Sequence, residues 1–124
     1  EIYADLRRFK QLIYNLISNA VKFNKLNGKI TIVSYLDENN DFVFEIKDTG
    51  DGIRKKDYDT IFSFFSQVNR SVLKRQQGSG IGLALCKKIV EAHGGEIGFK
   101  SRLNSGSTFW FTIPQPEQLN ISAE

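Results

Sequence analysis

The feature that most constrains this chain is an abrupt change in the spacing of its apolar residues. From Asp5 to about Lys25, the residues Leu6, Phe9, Leu12, Ile13, Leu16, Ile17, Ala20 and Val21 recur three and four positions apart. That spacing puts one apolar stripe on an α-helix, with Asp5 placed to cap it. Asn27-Gly28 is expected to end the helix, and the pattern then becomes an alternation. Ile30 and Ile32 lead to Tyr35 and Leu36, and Phe42, Phe44 and Ile46 follow the polar turn Asp37–Asp41. Alternation of this kind predicts an antiparallel hairpin. A one-sided helix beside a one-sided sheet buries both apolar faces only if one packs on the other.

The rest of the chain repeats the theme. A short helix is expected from about Lys55 to Phe62, and then a polar, basic stretch without periodicity from Val68 to Gln77. A loop of that length suits a mobile functional segment. A second long helix is expected from about Gly80 to Ala92, stopped by Gly94-Gly95. Two more strands, Glu96–Ser101 and Ser107–Pro114, flank the turn Asn104-Ser105-Gly106. The expected fold class is α+β, with helices on one face of a mixed, mainly antiparallel sheet. With no internal repeat or linker, residues 1–124 read as a single domain, and 115–124 as a flexible tail.

Composition removes several classes of function. One cysteine, Cys86, forms no internal disulfide, and with one histidine a zinc site is not expected. The net charge of +3 comes from 17 basic and 14 acidic residues without interleaved aromatics. Surface solvation explains that excess, and no nucleic-acid partner is expected. No apolar run is long enough to span a bilayer, and the acidic, polar start does not resemble a signal peptide, so the expected location is cytoplasmic.

Four segments carry chemistry. In Asp48-Thr49-Gly50-Asp51-Gly52-Ile53, a carboxylate at a strand end precedes two glycines that let a backbone approach a flat ligand. Taken alone, it reads more readily as a glycine-rich turn with a capping aspartate. Gly78-Ser79-Gly80-Ile81-Gly82-Leu83 runs directly into a helix, whose free N–H groups and positive dipole end favour phosphate. It is neither a P-loop nor a dinucleotide fingerprint, because the Lys-Ser/Thr and the preceding parallel strand are missing. On the first helix Asn15, Asn19 and Lys22 share one face. An asparagine carbonyl suits Mg²⁺ and a lysine suits phosphate oxygens, although a solvated polar stripe would look the same.

Taken in order, these segments with Ile61-Phe62-Ser63-Phe64-Phe65, His93-Gly94-Gly95 and Gly106-Ser107-Thr108-Phe109 closely resemble the histidine-kinase ATPase domain. They match its asparagine box, its two glycine boxes, its phenylalanine box and its closing strands. That domain shares a superfamily with gyrase, heat-shock chaperones and mismatch-repair proteins. The resemblance implies a two-layer α/β sandwich of the Bergerat type that binds ATP with Mg²⁺ beneath a flexible lid. It implies that Asp48 meets the adenine amine, with Thr108 a weaker candidate near the base. Gly50, Gly52 and Ile53 would shape the base pocket. Asn19 would ligate Mg²⁺, with Asn15 and Lys22 at the phosphates. Gly78, Ser79, Gly80, Ile81, Gly82 and Leu83 would form the lid hinge and phosphate cradle. Val68–Gln77 would be the lid, with Arg70, Lys74 and Arg75 reaching the γ-phosphate, and Phe62 and Phe65 its apolar anchors.

Hydrolysing relatives place a glutamate one turn before the metal asparagine, and here that position is Asn15. An amide is no general base near neutral pH. The resemblance therefore implies phosphoryl transfer to a histidine on the parent's own dimerisation domain, and onward to a response-regulator receiver domain. The parent would be a homodimer. The alternatives are a regulatory module that binds nucleotide without transfer and a gyrase-like ATPase. His93 matches a structural position of the family rather than the phosphoacceptor. Phe64 and Gln77 depart from the usual proline and glycine. The family's strand ahead of Asp5 is not in view, so the chain is expected to be truncated at its N-terminus.

Overall fold

The computed structural model describes residues 2–62 and 80–116. Helix α1 (Leu6–Phe23) starts where Asp5 accepts the Arg8 N–H at 3.0 Å, a bond that holds the Asp5 carboxyl below its ordinary range. Leu12, Leu16 and Ala20 are buried, with Phe9, Ile13 and Ile17 packed beside them. Leu6 and Val21, from the ends of the expected stripe, are exposed. The helix stops at Asn24 rather than at Asn27-Gly28, because Asn24 adopts an extended backbone and its side chain engages the next segment. Asn27 instead takes a left-handed φ of 64° in the turn that follows.

Strands β1 (Ile30–Leu36) and β2 (Asp41–Asp48) form the expected hairpin. In its turn Asp37 Oδ1 accepts the N–H groups of Asn39 and Asp41, each at 2.9 Å. A 3₁₀ helix (Lys55–Thr60) takes the place of the expected short α-helix. Helix α2 (Gly80–Ala92) ends in a Schellman motif. The Gly95 N–H reaches Val90 O at 3.0 Å and the Gly94 N–H reaches Glu91 O at 2.9 Å, with Gly94 at φ 77°. Strands β3 (Glu96–Arg102) and β4 (Gly106–Pro114) complete the sheet.

The strand order is β1-β2-β4-β3, and all three described pairings are antiparallel. The expectation of a mainly antiparallel sheet is met, with every described pairing antiparallel. The crossover through α2 brings β3 back in the same direction as β2, but β4 then folds into the gap between them. No two parallel strands become neighbours among the described residues.

Helices α1 and α2 cover one face of the sheet. Phe111 is fully buried there, stacked on Phe44 at 5.2 Å and ringed by Phe9 and Phe42. Leu83, Cys86, Ile89 and Val90 of α2 close the core from above. Burial of each such aliphatic or aromatic side chain contributes about 1.5–3 kcal/mol. Gln115, at the start of the expected tail, is anchored instead. It is buried, its Oε1 accepts the Tyr3 N–H at 2.7 Å, and its own N–H reaches Asn40 O at 3.2 Å. Residues 117–124 lie outside the described set.

Candidate functional site

The two helices run antiparallel, and three contacts fix their register. At one end His93 Nε2 accepts the Asp5 N–H at 3.0 Å, and His93 Nδ1 lies 2.9 Å from Ile89 O. An acceptor Nε2 leaves the ring proton on Nδ1, so both nitrogens are used in holding helix ends together. Seven residues earlier on α2, the Cys86 thiol lies 4.0 Å from Leu12 O and close to the Asn15 side chain. Burial pushes this thiol up to about 12, so it stays protonated. One further turn brings Gly82 level with the Leu16–Asn19 turn of α1. The N-terminus of α2, whose first N–H groups have no partner within the helix and which carries a positive dipole end, thus points to the same end of the molecule as Asn19.

That end also holds Asp48. The carboxylate closes β2 on the helix-covered face, is only 5% exposed, and accepts the Gly50 N–H at 2.8 Å. Burial raises its pKa, opposed by the backbone N–H groups of Gly50 and Ser107. An aspartate this deeply placed, without a cation among the described residues beside it, suits a ligand that brings its own donor.

Close packing explains the glycines around it. A Cβ on Gly50 would strike the Phe23 carbonyl at the end of α1. Gly52, at φ 80°, lies against the Arg102 carbonyl, and Gly106 lies against the Asp48 carbonyl. Next along, the Ile53 N–H donates to Ser101 Oγ at 2.7 Å, and the Ile53 side chain rests on the core.

Asn15 and Asn19 are half-buried on α1, and Lys22 is exposed in its last turn. Gly80, Ile81 and Gly82 form the first turn of α2, whereas the Leu83 side chain is buried in the core. Leu83 therefore packs the fold, and only its backbone is available to the cradle. Phe62 packs on the rings of Phe99 and Phe109, at 6.0 and 6.2 Å. Phe65, Arg70, Lys74, Arg75, Gly78 and Ser79, with the rest of Val68–Gln77, lie outside the described residues.

Thr108 is not brought to this site. It pairs with Lys47 and Lys100, so all three side chains stand on the opposite, open face of the sheet, where they line a hollow with Trp110. Strand alternation puts Ser107, not Thr108, on the side of Asp48. Ser107 is buried, its N–H helps to hold the Asp48 pKa down, and its hydroxyl lies 3.0 Å from Ser101 Oγ. Counting inward from the buried Phe109 and Phe111 would have found it in the sequence. Asn24 and Thr49, both hydrogen-bonded at this end, carried no comparable sequence signal.

The family model for histidine kinase-, DNA gyrase B- and HSP90-like ATPases matches residues 4–117. The chain belongs to this ATPase family. Within it, the chain is 40% identical over 113 residues to the sensor protein SrrB of Staphylococcus aureus, a match covering 91% of this chain and 19% of that protein. The chain thus spans about a fifth of that relative's length. It is also similar to the catalytic domain of the histidine kinase ThkA, with a TM-score of 0.77 and 35% identity. That match covers 92% of this chain and 70% of the ThkA domain. Full-length ShkA in complex with AMPPNP gives a TM-score of 0.79 at 32% identity, over 92% of this chain and 23% of ShkA. Membership accounts for the sandwich of two helices on an antiparallel sheet and for the ATP-binding character of the domain.

Proposed function

We propose that this domain holds Mg·ATP at the end of the molecule shared by Asp48, Asn19 and the α2 N-terminus. It then donates the γ-phosphoryl group to a histidine on a separate helical dimerisation domain of its parent. One observation carries the choice of donor over hydrolase. Asn15, one turn before Asn19 on the half-buried face of α1, carries an amide where a hydrolase would need a carboxylate, and the nearby Cys86 thiol stays protonated. Neither group can take a proton from water near neutral pH.

Bound nucleotide supplies the transferable phosphoryl group, and Mg²⁺ neutralises charge on it. The chain's own residues fit these ligands. Asp48 accepts the exocyclic amine of adenine, which explains a buried carboxylate with a raised pKa. The N–H groups of Gly80, Ile81 and Gly82 face the phosphates. Asn19 offers one carbonyl oxygen to a metal whose other ligands are phosphates and water. No cluster of three or more His, Cys, Asp or Glu that could hold a metal by itself exists among the described residues. A receiver domain is the expected next acceptor, and the cytoplasm, which supplies ATP, is the compartment this reading assigns.

Incubating the chain with γ-labelled ATP and a supplied dimerisation domain tests the proposal. Label appearing on histidine, with slow release of free phosphate, is the expected result. Tight ATP binding without transfer would reduce the domain to a regulatory module, and rapid steady-state hydrolysis would make it an ATPase.

A further inference from the structure

Between α1 and the Asp48 loop lies a closed hydrogen-bond network that neither the asparagine face nor the glycine segments account for. Asn24 is its hub. Its Oδ1 accepts the Lys25 N–H at 2.9 Å, the Thr49 N–H at 3.1 Å and the Thr49 hydroxyl at 2.9 Å. Its Nδ2 donates to Lys29 O at 3.0 Å. The Thr49 hydroxyl, having donated to Asn24, accepts the Lys29 N–H at 2.9 Å. Each donor and acceptor has a defined direction, and three segments meet: the cap of α1, the start of β1 and the loop after β2.

Thr49 sits between the two residues that matter most to the base site. Asp48, before it, carries the buried carboxylate. Gly50, after it, donates its N–H to that carboxylate and rests against the Phe23 carbonyl. Holding the Thr49 N–H and hydroxyl therefore fixes the backbone on both sides of the Asp48 side chain. The same Asn24 terminates the helix that carries Asn19, five residues earlier. A movement of the loop relative to α1 would change the spacing between the base-reading carboxylate and the metal-binding amide.

We infer that Asn24 and Thr49 are positioning residues, a clasp that sets Asp48 in register with Asn19 and thereby determines selectivity for the adenine base. The inference rests on the nucleotide reading above. It concerns the affinity for ATP relative to other nucleotides, because Asn24 and Thr49 act through Asp48 and Gly50.

The test measures calorimetric affinities of the 124-residue chain for ATP and for inosine triphosphate, whose base carries a carbonyl in place of the amine. In the unchanged protein ATP is preferred, and Asp48→Asn abolishes the preference. Thr49→Val, which keeps shape but loses the hydroxyl, reduces the preference about 10-fold, the effect of one unpaired partner in a partly buried network. Asn24→Ala does the same, and Thr49→Ser recovers the preference.

If the unchanged protein shows no preference, or Asp48→Asn leaves it intact, the base reading of Asp48 fails and the clasp with it. If Asp48→Asn abolishes the preference while Thr49→Val and Asn24→Ala retain it in full, the clasp alone is overturned. Should those two variants not fold, hydrogen exchange on the unchanged protein decides. The Lys29 and Thr49 amides are protected if the clasp is closed, and exchange at loop rates would overturn it.

Discussion

The glycines flanking Asp48 and the glycine in the first turn of α2 belong to one family signature, yet the fold treats them oppositely. Gly50, Gly52 and Gly106 each lie where a Cβ would run into a backbone carbonyl of this same chain. Gly82 is different: among the described residues no atom beyond its chain neighbours and its own helix backbone stands within 4 Å of where its Cβ would be. The first group is required by how the protein packs on itself. The described fold makes no such demand at Gly82. The contrast separates residues that build the site from residues that leave room in it.

The largest effect should come from Gly50→Ala. The obstructing atom is the Phe23 carbonyl, a backbone group at a helix end, and no side chain can swing away to admit the methyl. The loop must move off α1, straining the Asn24–Thr49 bonds and the Gly50 bond to Asp48. Overpacking of this kind costs about 3 kcal/mol, enough to lower the melting temperature by roughly 10 °C. Thermal unfolding followed by circular dichroism reads this directly. An unchanged melting temperature would remove Gly50 from the packing side of the contrast.

Asp48→Asn comes next, and its signature is pH dependence. Burial raises the Asp48 pKa above the ordinary 3.8, so the native state holds its proton after the unfolded chain has released it. Stability conferred by that proton is complete at low pH. It falls as pH rises from about the ordinary value through the raised native one. Replacing the carboxyl with an amide removes that fall while leaving an oxygen to accept the Gly50 N–H. Urea unfolding at several pH values between 4 and 7 should show a flatter profile in the variant, together with at least a 10-fold loss of ATP affinity. A profile parallel to that of the unchanged protein would mean that the carboxylate is not held in a costly state.

Both residues were visible in the sequence, and the reason they were visible also explains what was not. Apolar spacing located α1, the hairpin and β4, because burial of Leu12, Leu16, Phe44 and Phe111 is written in period. It could not show that β4 would insert between β2 and β3, since that depends on which sheet edge is vacant when the chain returns from α2. The glycine segments mark where the backbone turns, but alternation puts Ser107 rather than Thr108, the weaker candidate, on the face that Asp48 occupies. Asn24 and Thr49 were invisible for a different reason. A polar residue that bonds backbone groups of a segment 25 positions away leaves no periodic trace.

The smallest change in fold stability, and the most direct use of the contrast, is expected from Gly82→Ala. Alanine is favoured over glycine in a helix by up to about 1 kcal/mol, less in a first turn, so with nothing described in the way the variant should melt slightly higher. The same methyl lies in the first turn of α2, where a phosphate held by the helix N-terminus would need close approach. ATP affinity should therefore fall about 10-fold or more in a protein that is as stable as before, a loss of roughly 1.4 kcal/mol or greater. Calorimetric titration beside a melting curve separates the two quantities. Lower stability with proportionate loss of binding would place Gly82 with Gly50 as a packing residue. Unchanged affinity would move the phosphates away from the first turn of α2, leaving Asp48 and Asn19 to locate the nucleotide. Stability kept and binding lost is the outcome that a glycine left clear for a ligand requires, and Gly50 cannot give it.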